Sequence, residues 1–195
     1  MELGDTVSSR NLMEQNKGGG DETTCKIVLV GDGRVGKSSL MGRFCYNQWP
    51  CSARPLPHSV GFGNRVVWVD ECEILTQVWD PLIHDHPLIH SRLLSRNVLR
   101  KAKGVVIVYS AVKQKSFANV RTWVEMVRDR AEDDFKFMLL GNKCDQTMKR
   151  VVEYIPAREF ADENEMLFFE VSAKDGTNID LAFVSLIAGI QSEAG

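Results

Sequence analysis

A chain of 195 residues, 44% hydrophobic and 26% charged with a formal net charge of −2, has the length of one ordinary domain with tails and the apolar content of a real core. That near-neutral balance excludes an overall basic field for nucleic acid or acidic lipid, and no apolar run is long enough to cross a bilayer. Five cysteines, odd in number and without a C-x-x-C pair, point to reduced thiols in a cytoplasmic protein rather than a disulfide frame or zinc ribbon.

Residues 1–24 are polar, contain Gly18-Gly19-Gly20 and show no apolar period, so they are expected to form a disordered tail. The tail lacks a signal-peptide core, and Glu2 stands where myristoylation needs glycine. Cys25 to Val30 is apolar almost throughout, the pattern of a strand buried on both faces. It runs into Gly31-Asp32-Gly33-Arg34-Val35-Gly36-Lys37-Ser38-Ser39, whose Gly-x-x-x-x-Gly-Lys-Ser spacing is that of a phosphate-binding loop. Glycines let successive N–H groups turn toward one anion, and the amino end of the following helix adds partial positive charge. Lys37 can reach the outer phosphates, and the Ser38 hydroxyl can ligate Mg²⁺. Gly33, Arg34, Val35, Gly36, Lys37, Ser38 and Ser39 are the expected phosphate contacts, with Arg34 equally placed to meet solvent. A helix is predicted over Lys37–Tyr46, with Leu40, Met41 and Phe44 on its inner face.

From Trp49 to Gly63 no period survives. Pro50, Pro55 and Pro57 argue for a long loop, which inside a compact domain is usually functional. Arg65–Asp70 and Ile74–Trp79 read as a hairpin around the turn Asp70-Glu71-Cys72-Glu73, and Asp80 lies just beyond it. After an irregular stretch, a helix is predicted over Leu88–Lys103, with Arg92, Arg96 and Arg100 as a solvated stripe. Val105–Tyr109 is another buried strand. Ser116–Ala131 reads as an amphipathic helix capped by Ser116, with Phe117, Val120, Val124 and Val127 facing inward. Then come a strand over Phe137–Leu140, a helix over Pro156–Ala161, a strand over Leu167–Val171 and a helix over Ile179–Ile190. The alternation predicts an α/β fold with a mostly parallel six-stranded sheet and helices on both faces. Ligands in such sheets sit beyond the carboxyl ends of the strands.

Two more motifs lie at such ends: Asn142-Lys143-Cys144-Asp145 after Leu140, and Val171-Ser172-Ala173-Lys174 at the last strand. A carboxylate at Asp145 can accept parallel hydrogen bonds from guanine N1–H and its exocyclic amine; adenine has no such pair of donors. With the phosphate loop, and with Val106-Ile107-Val108-Tyr109 and Ser116-Phe117-x-Asn119-Val120, these motifs make the chain resemble a Ras-superfamily small GTPase, most similar to the Rab branch. The resemblance implies a P-loop NTPase fold of the Ras-like G-domain type over residues 25–191, with 192–195 as a short end. It implies GTP or GDP as ligand with Mg²⁺, a monomer, effector and regulator proteins meeting two switch loops, and a role in membrane traffic or signalling. It also places Asn142 near the base, Lys143 along it, and the Ala173 amide, between Ser172 and Lys174, near the guanine oxygen. Trp49, twelve residues after Lys37, falls where the family has an aromatic edge against guanine; a core anchor at a helix end is the alternative.

The switch loops depart from the family. Ser59 is the nearest match to the Mg²⁺-binding threonine, but Pro55-Leu56-Pro57-His58 precedes it. Where the family has Asp-Thr-Ala-Gly-Gln, this chain has Asp80-Pro81-Leu82-Ile83-His84. Asp80 is kept and can hold Mg²⁺ through water. Ile83 replaces a glycine whose N–H meets the γ-phosphate, and His84 replaces the glutamine that orients the attacking water. Positioning is most of phosphoryl transfer, so weak hydrolysis is expected, with His84 the only catalytic candidate. The alternative is a pseudo-GTPase that holds nucleotide without switching. An ATP-using kinase is disfavoured by Asp145, and His84, His86 and His90 read as solvated rather than as zinc ligands. No cysteine follows Cys144, so no prenylation signal is visible and membrane attachment would need a tail outside this sequence.

Overall fold

The computed structural model describes residues 23–49, 61–81, 94, 96–130 and 135–194. Six strands form its sheet: β1 (Thr23–Val30), β2 (Gly61–Val69), β3 (Cys72–Asp80), β4 (Gly104–Ser110), β5 (Lys136–Asn142) and β6 (Leu167–Val171). The order across the sheet is β2-β3-β1-β4-β5-β6. Only the β2–β3 pair is antiparallel; the other neighbours run parallel.

β1 is apolar from Ile27 to Val30 because both of its faces are covered there. Ile27 and Leu29 join the core beneath α1 (Lys37–Tyr46) and the final helix (Ile179–Ala194), where Phe44 and Phe183 stack with centroids 4.2 Å apart. Val28 and Val30 join the opposite core, whose largest member is the fully buried Trp123. That second face is covered by α2 (Arg96–Leu99), α3 (Gln114–Ala118), α4 (Val120–Arg130) and α5 (Tyr154–Glu163); the final helix is α6. The layered α/β architecture with its six-stranded, mostly parallel sheet is therefore the one the alternation of elements predicts.

Several boundaries differ, and pairing explains most of them. Thr23 and Thr24, expected in the tail, extend β1 by pairing with Ile74 and Leu75. Gly61 and Gly63, read as the end of the loop, belong to β2 opposite Asp80 and Val78. Cys72 and Glu73 are strand residues rather than turn residues. The hairpin turns on Asp70 and Glu71 alone, both at positive φ (47° and 64°), a two-residue primed turn that matches strand twist. β5 runs on to Asn142, opposite Ser110. The helix predicted over Leu88–Lys103 is seen as Arg96–Leu99 among the described residues, and it ends well before Gly104. There Lys101 is left-handed (φ 60°), and the Lys103 amide donates to the Lys26 carbonyl at 2.8 Å.

The predicted helix over Ser116–Ala131 is two helices separated at Asn119. Ser116 lies inside α3 and is not its cap: its hydroxyl accepts from the Ser110 amide (3.0 Å) and donates to the Lys113 carbonyl (2.6 Å). Pro156 sits in the first turn of α5, where its missing N–H has no intrahelical partner to lose. α6 continues beyond the predicted end at Ile190 to Ala194. Cys25, Cys45, Cys72 and Cys144 are free thiols, and among the described residues no helix is long and apolar enough to cross a membrane. β1, β3, β4, β5 and β6 all finish on one edge of the sheet, so Gly31, Asp80, Ser110, Asn142 and Ser172 converge there.

Candidate nucleotide site

The phosphate loop leaves β1 at Gly31, whose φ is +141° and where an added Cβ would lie 2.2 Å from the Val108 carbonyl oxygen. It enters α1 at Gly36, with φ +103° and Asn142 Nδ2 2.3 Å from the place a Cβ would take. Both positions require glycine. Between them, each carbonyl meets a donor. Lys37 Nζ donates to Gly31 O (2.8 Å) and Asp32 O (3.0 Å), and Lys113 Nζ lies 3.4 Å from Gly33 O. Lys143 Nζ donates to Arg34 O (2.8 Å), and Asn142 Nδ2 donates to Val35 O (2.9 Å). The loop's negative dipole ends are thus engaged by side chains. The first-turn N–H groups of α1 have no acceptor within the helix, which is the polarity an anion needs. Arg34 is exposed at φ 65°, Val35 is buried, and Ser39 follows half-buried in α1.

Asp32 is a residue no motif picks out. Its carboxylate is buried, accepting from Asn119 Nδ2 (2.8 Å) and Trp123 Nε1 (2.9 Å). Those residues are four apart at the start of α4, so one helical turn pins the loop to the sheet's second face.

Ser38 Oγ donates to Asp80 Oδ2 at 2.5 Å, and Asp80 is 1% exposed at the end of β3. A hydroxyl and a buried carboxylate beside Lys37 are the hard oxygen donors that suit Mg²⁺. These two would hold the ion, which when bound would neutralise charge on the outer phosphates. Ser59, Ile83 and His84, with His86 and His90, lie outside the described residues.

On the base side, Asn142 is buried and uses both ends of its amide. Besides the bond to Val35 O, its Oδ1 accepts from the amides of Lys143 (2.8 Å) and Ala173 (3.1 Å). Asp145 Oδ1 accepts from Ser172 Oγ at 2.9 Å, and Lys174 Nζ stands 4.0 Å from Oδ2. A carboxylate has about four acceptor positions, so capacity for two further donors remains. Burial, then the nearby Lys113 ammonium, pushes the Lys143 ammonium below its usual range, while Asp145 acts the other way. Arg43 on α1 braces the 172–174 loop from beneath, donating through Nε to Ala173 O (3.0 Å) and through Nη2 to Lys174 O (2.7 Å). Trp49 is 38% exposed beyond α1 and is not a core anchor.

The structure therefore gathers the phosphate-loop residues, Asp80, Asn142, Lys143, Asp145 and the Ser172-Ala173-Lys174 turn at one edge. Sequence reading missed Asp32, Asn119, Trp123, Arg43 and Lys113. For Lys113 there was a usable signal: it follows the carboxyl end of a buried parallel strand. The other four act across distant stretches of chain, where spacing carries no information. The Ras family model matches residues 26–192, most of the chain, and the chain belongs to that family of small GTPase-type, guanine-nucleotide-binding switches.

Proposed function

We propose that this Ras-family chain is a Rab-like switch that holds GTP or GDP with Mg²⁺, hydrolyses GTP weakly by itself, and presents its nucleotide state to effector and regulator proteins in membrane traffic or signalling. The observation that carries this reading is the bonding of the base motif to the phosphate loop: Asn142 holds Val35 O and Lys143 holds Arg34 O. A ligand with a base at one end and phosphates at the other would be read by a single scaffold. The Ser38–Asp80 pair supports Mg²⁺, and the free thiols support a cytoplasmic site of action. Weak hydrolysis rests on the residues after Asp80. A β-branched Ile83 and an imidazole at His84 stand where an N–H and an amide side chain position the γ-phosphate and the water.

Purified full-length chain is expected to carry guanine nucleotide and, loaded with GTP and Mg²⁺, to release phosphate in a single turnover below about 10⁻⁴ s⁻¹. A rate at or above about 3 × 10⁻⁴ s⁻¹ would contradict weak hydrolysis. Stable binding with no release at all would assign the pseudo-GTPase reading instead.

A further inference from the structure

The loop after β4 carries a cation that no motif predicts. Lys113 is the residue before α3, and its backbone is fixed on both sides: its amide donates to Ser110 O (3.0 Å), and its carbonyl accepts from Ser116 N (3.0 Å) and Ser116 Oγ (2.6 Å). The side chain thus leaves from a rigid point. Its ammonium is 3.4 Å from Gly33 O, and among the described residues no carboxylate pairs with it. That distance is long for an N–H···O bond, so the group gives up little in turning toward an anion.

The position of Gly33 along the bound phosphates follows from Lys37. In a loop of this spacing the lysine reaches the β- and γ-phosphates. Here its tip rests on the carbonyls of Gly31 and Asp32, the two residues just before Gly33. The Gly31–Gly33 end of the loop therefore flanks the outer phosphate.

We propose that Lys113 biases this protein toward the triphosphate, by turning from the Gly33 carbonyl to place a second ammonium, after that of Lys37, beside the outer phosphate. The inference rests on the guanine-nucleotide reading above. The added cation acts most strongly on the charge that GTP has and GDP lacks. A residue that merely braced the loop would serve both nucleotides alike.

The test is the affinity of full-length protein for GTP and for GDP with Mg²⁺, in wild type, Lys113→Gln, Lys113→Met and Lys113→Arg. Both neutral variants are expected to weaken GTP roughly three- to tenfold more than GDP, with a shallower salt dependence for GTP. Lys113→Arg is expected to restore the wild-type ratio to within about twofold. Equal weakening of both nucleotides, or an unchanged ratio, would overturn the proposal while leaving guanine-nucleotide binding intact. Failure of the wild-type chain to bind either nucleotide would remove both.

Discussion

Replacing Asp145 by Asn is expected to lower affinity for GTP and GDP by roughly 10²- to 10⁴-fold and to raise it for xanthosine nucleotides. Two hydrogen bonds to a charged acceptor are each worth about 1.5–3 kcal/mol, and the substitution removes the charge and turns one acceptor into a donor. Xanthine carries a carbonyl where guanine carries its exocyclic amine, so an amide at 145 matches it. Ser172 Oγ already holds Oδ1 in place, so the side chain is presented in a fixed orientation whichever group it bears. The exposed Lys174, 4.0 Å away, contributes little by comparison. Competition between guanosine and xanthosine diphosphates on the variant reads the result directly. Retention of GDP within about threefold of wild type would show that Asp145 does not select the base.

The second large effect belongs to Gly36. Alanine there must hold a backbone with φ +103° and set a Cβ 2.3 Å from Asn142 Nδ2. The amide would have to leave Val35 O, and its Oδ1 would then drag on the amides of Lys143 and Ala173. Backbone strain and a lost buried hydrogen bond together suggest about 3 kcal/mol, or a Tm lower by about 6–12 °C for a domain of this size. Nucleotide dissociation is expected to accelerate at least about 100-fold, because the phosphate and base halves of the site are displaced together. Calorimetric melting with dissociation kinetics separates the two. A variant that melts normally and keeps its nucleotide would mean that Gly36 is conformationally ordinary.

Local chemistry made much of this molecule legible. Buried parallel strands declare themselves through unbroken apolar runs such as Val105–Tyr109, and the phosphate loop is specified by residue types that few other structures need together. Extents were harder, since they are set by the partner: nothing within Thr23-Thr24 or Lys136 says that a neighbouring strand continues alongside. The hairpin turn was misplaced because Asp70 and Glu71 adopt positive φ without glycine or asparagine to signal it. Ser116 looked like a helix cap from its type and position, but its hydroxyl is used to tie the end of β4 to Lys113. Asp32 reads as an unspecified place in a motif until Asn119 and Trp123 are seen to converge on it.

In the proposed function, one scaffold grips phosphates with the loop between Gly31 and Ser39 and selects guanine with Asp145. Titration of nucleotide-free protein with GTP, GDP, ATP and ADP in the presence of Mg²⁺ separates the phosphate grip from the choice of base. Guanine nucleotides are expected to bind at least about 10³-fold more tightly than adenine nucleotides. Equal affinity for the two purines, or heat of binding from neither in a chain that melts cooperatively, would contradict it.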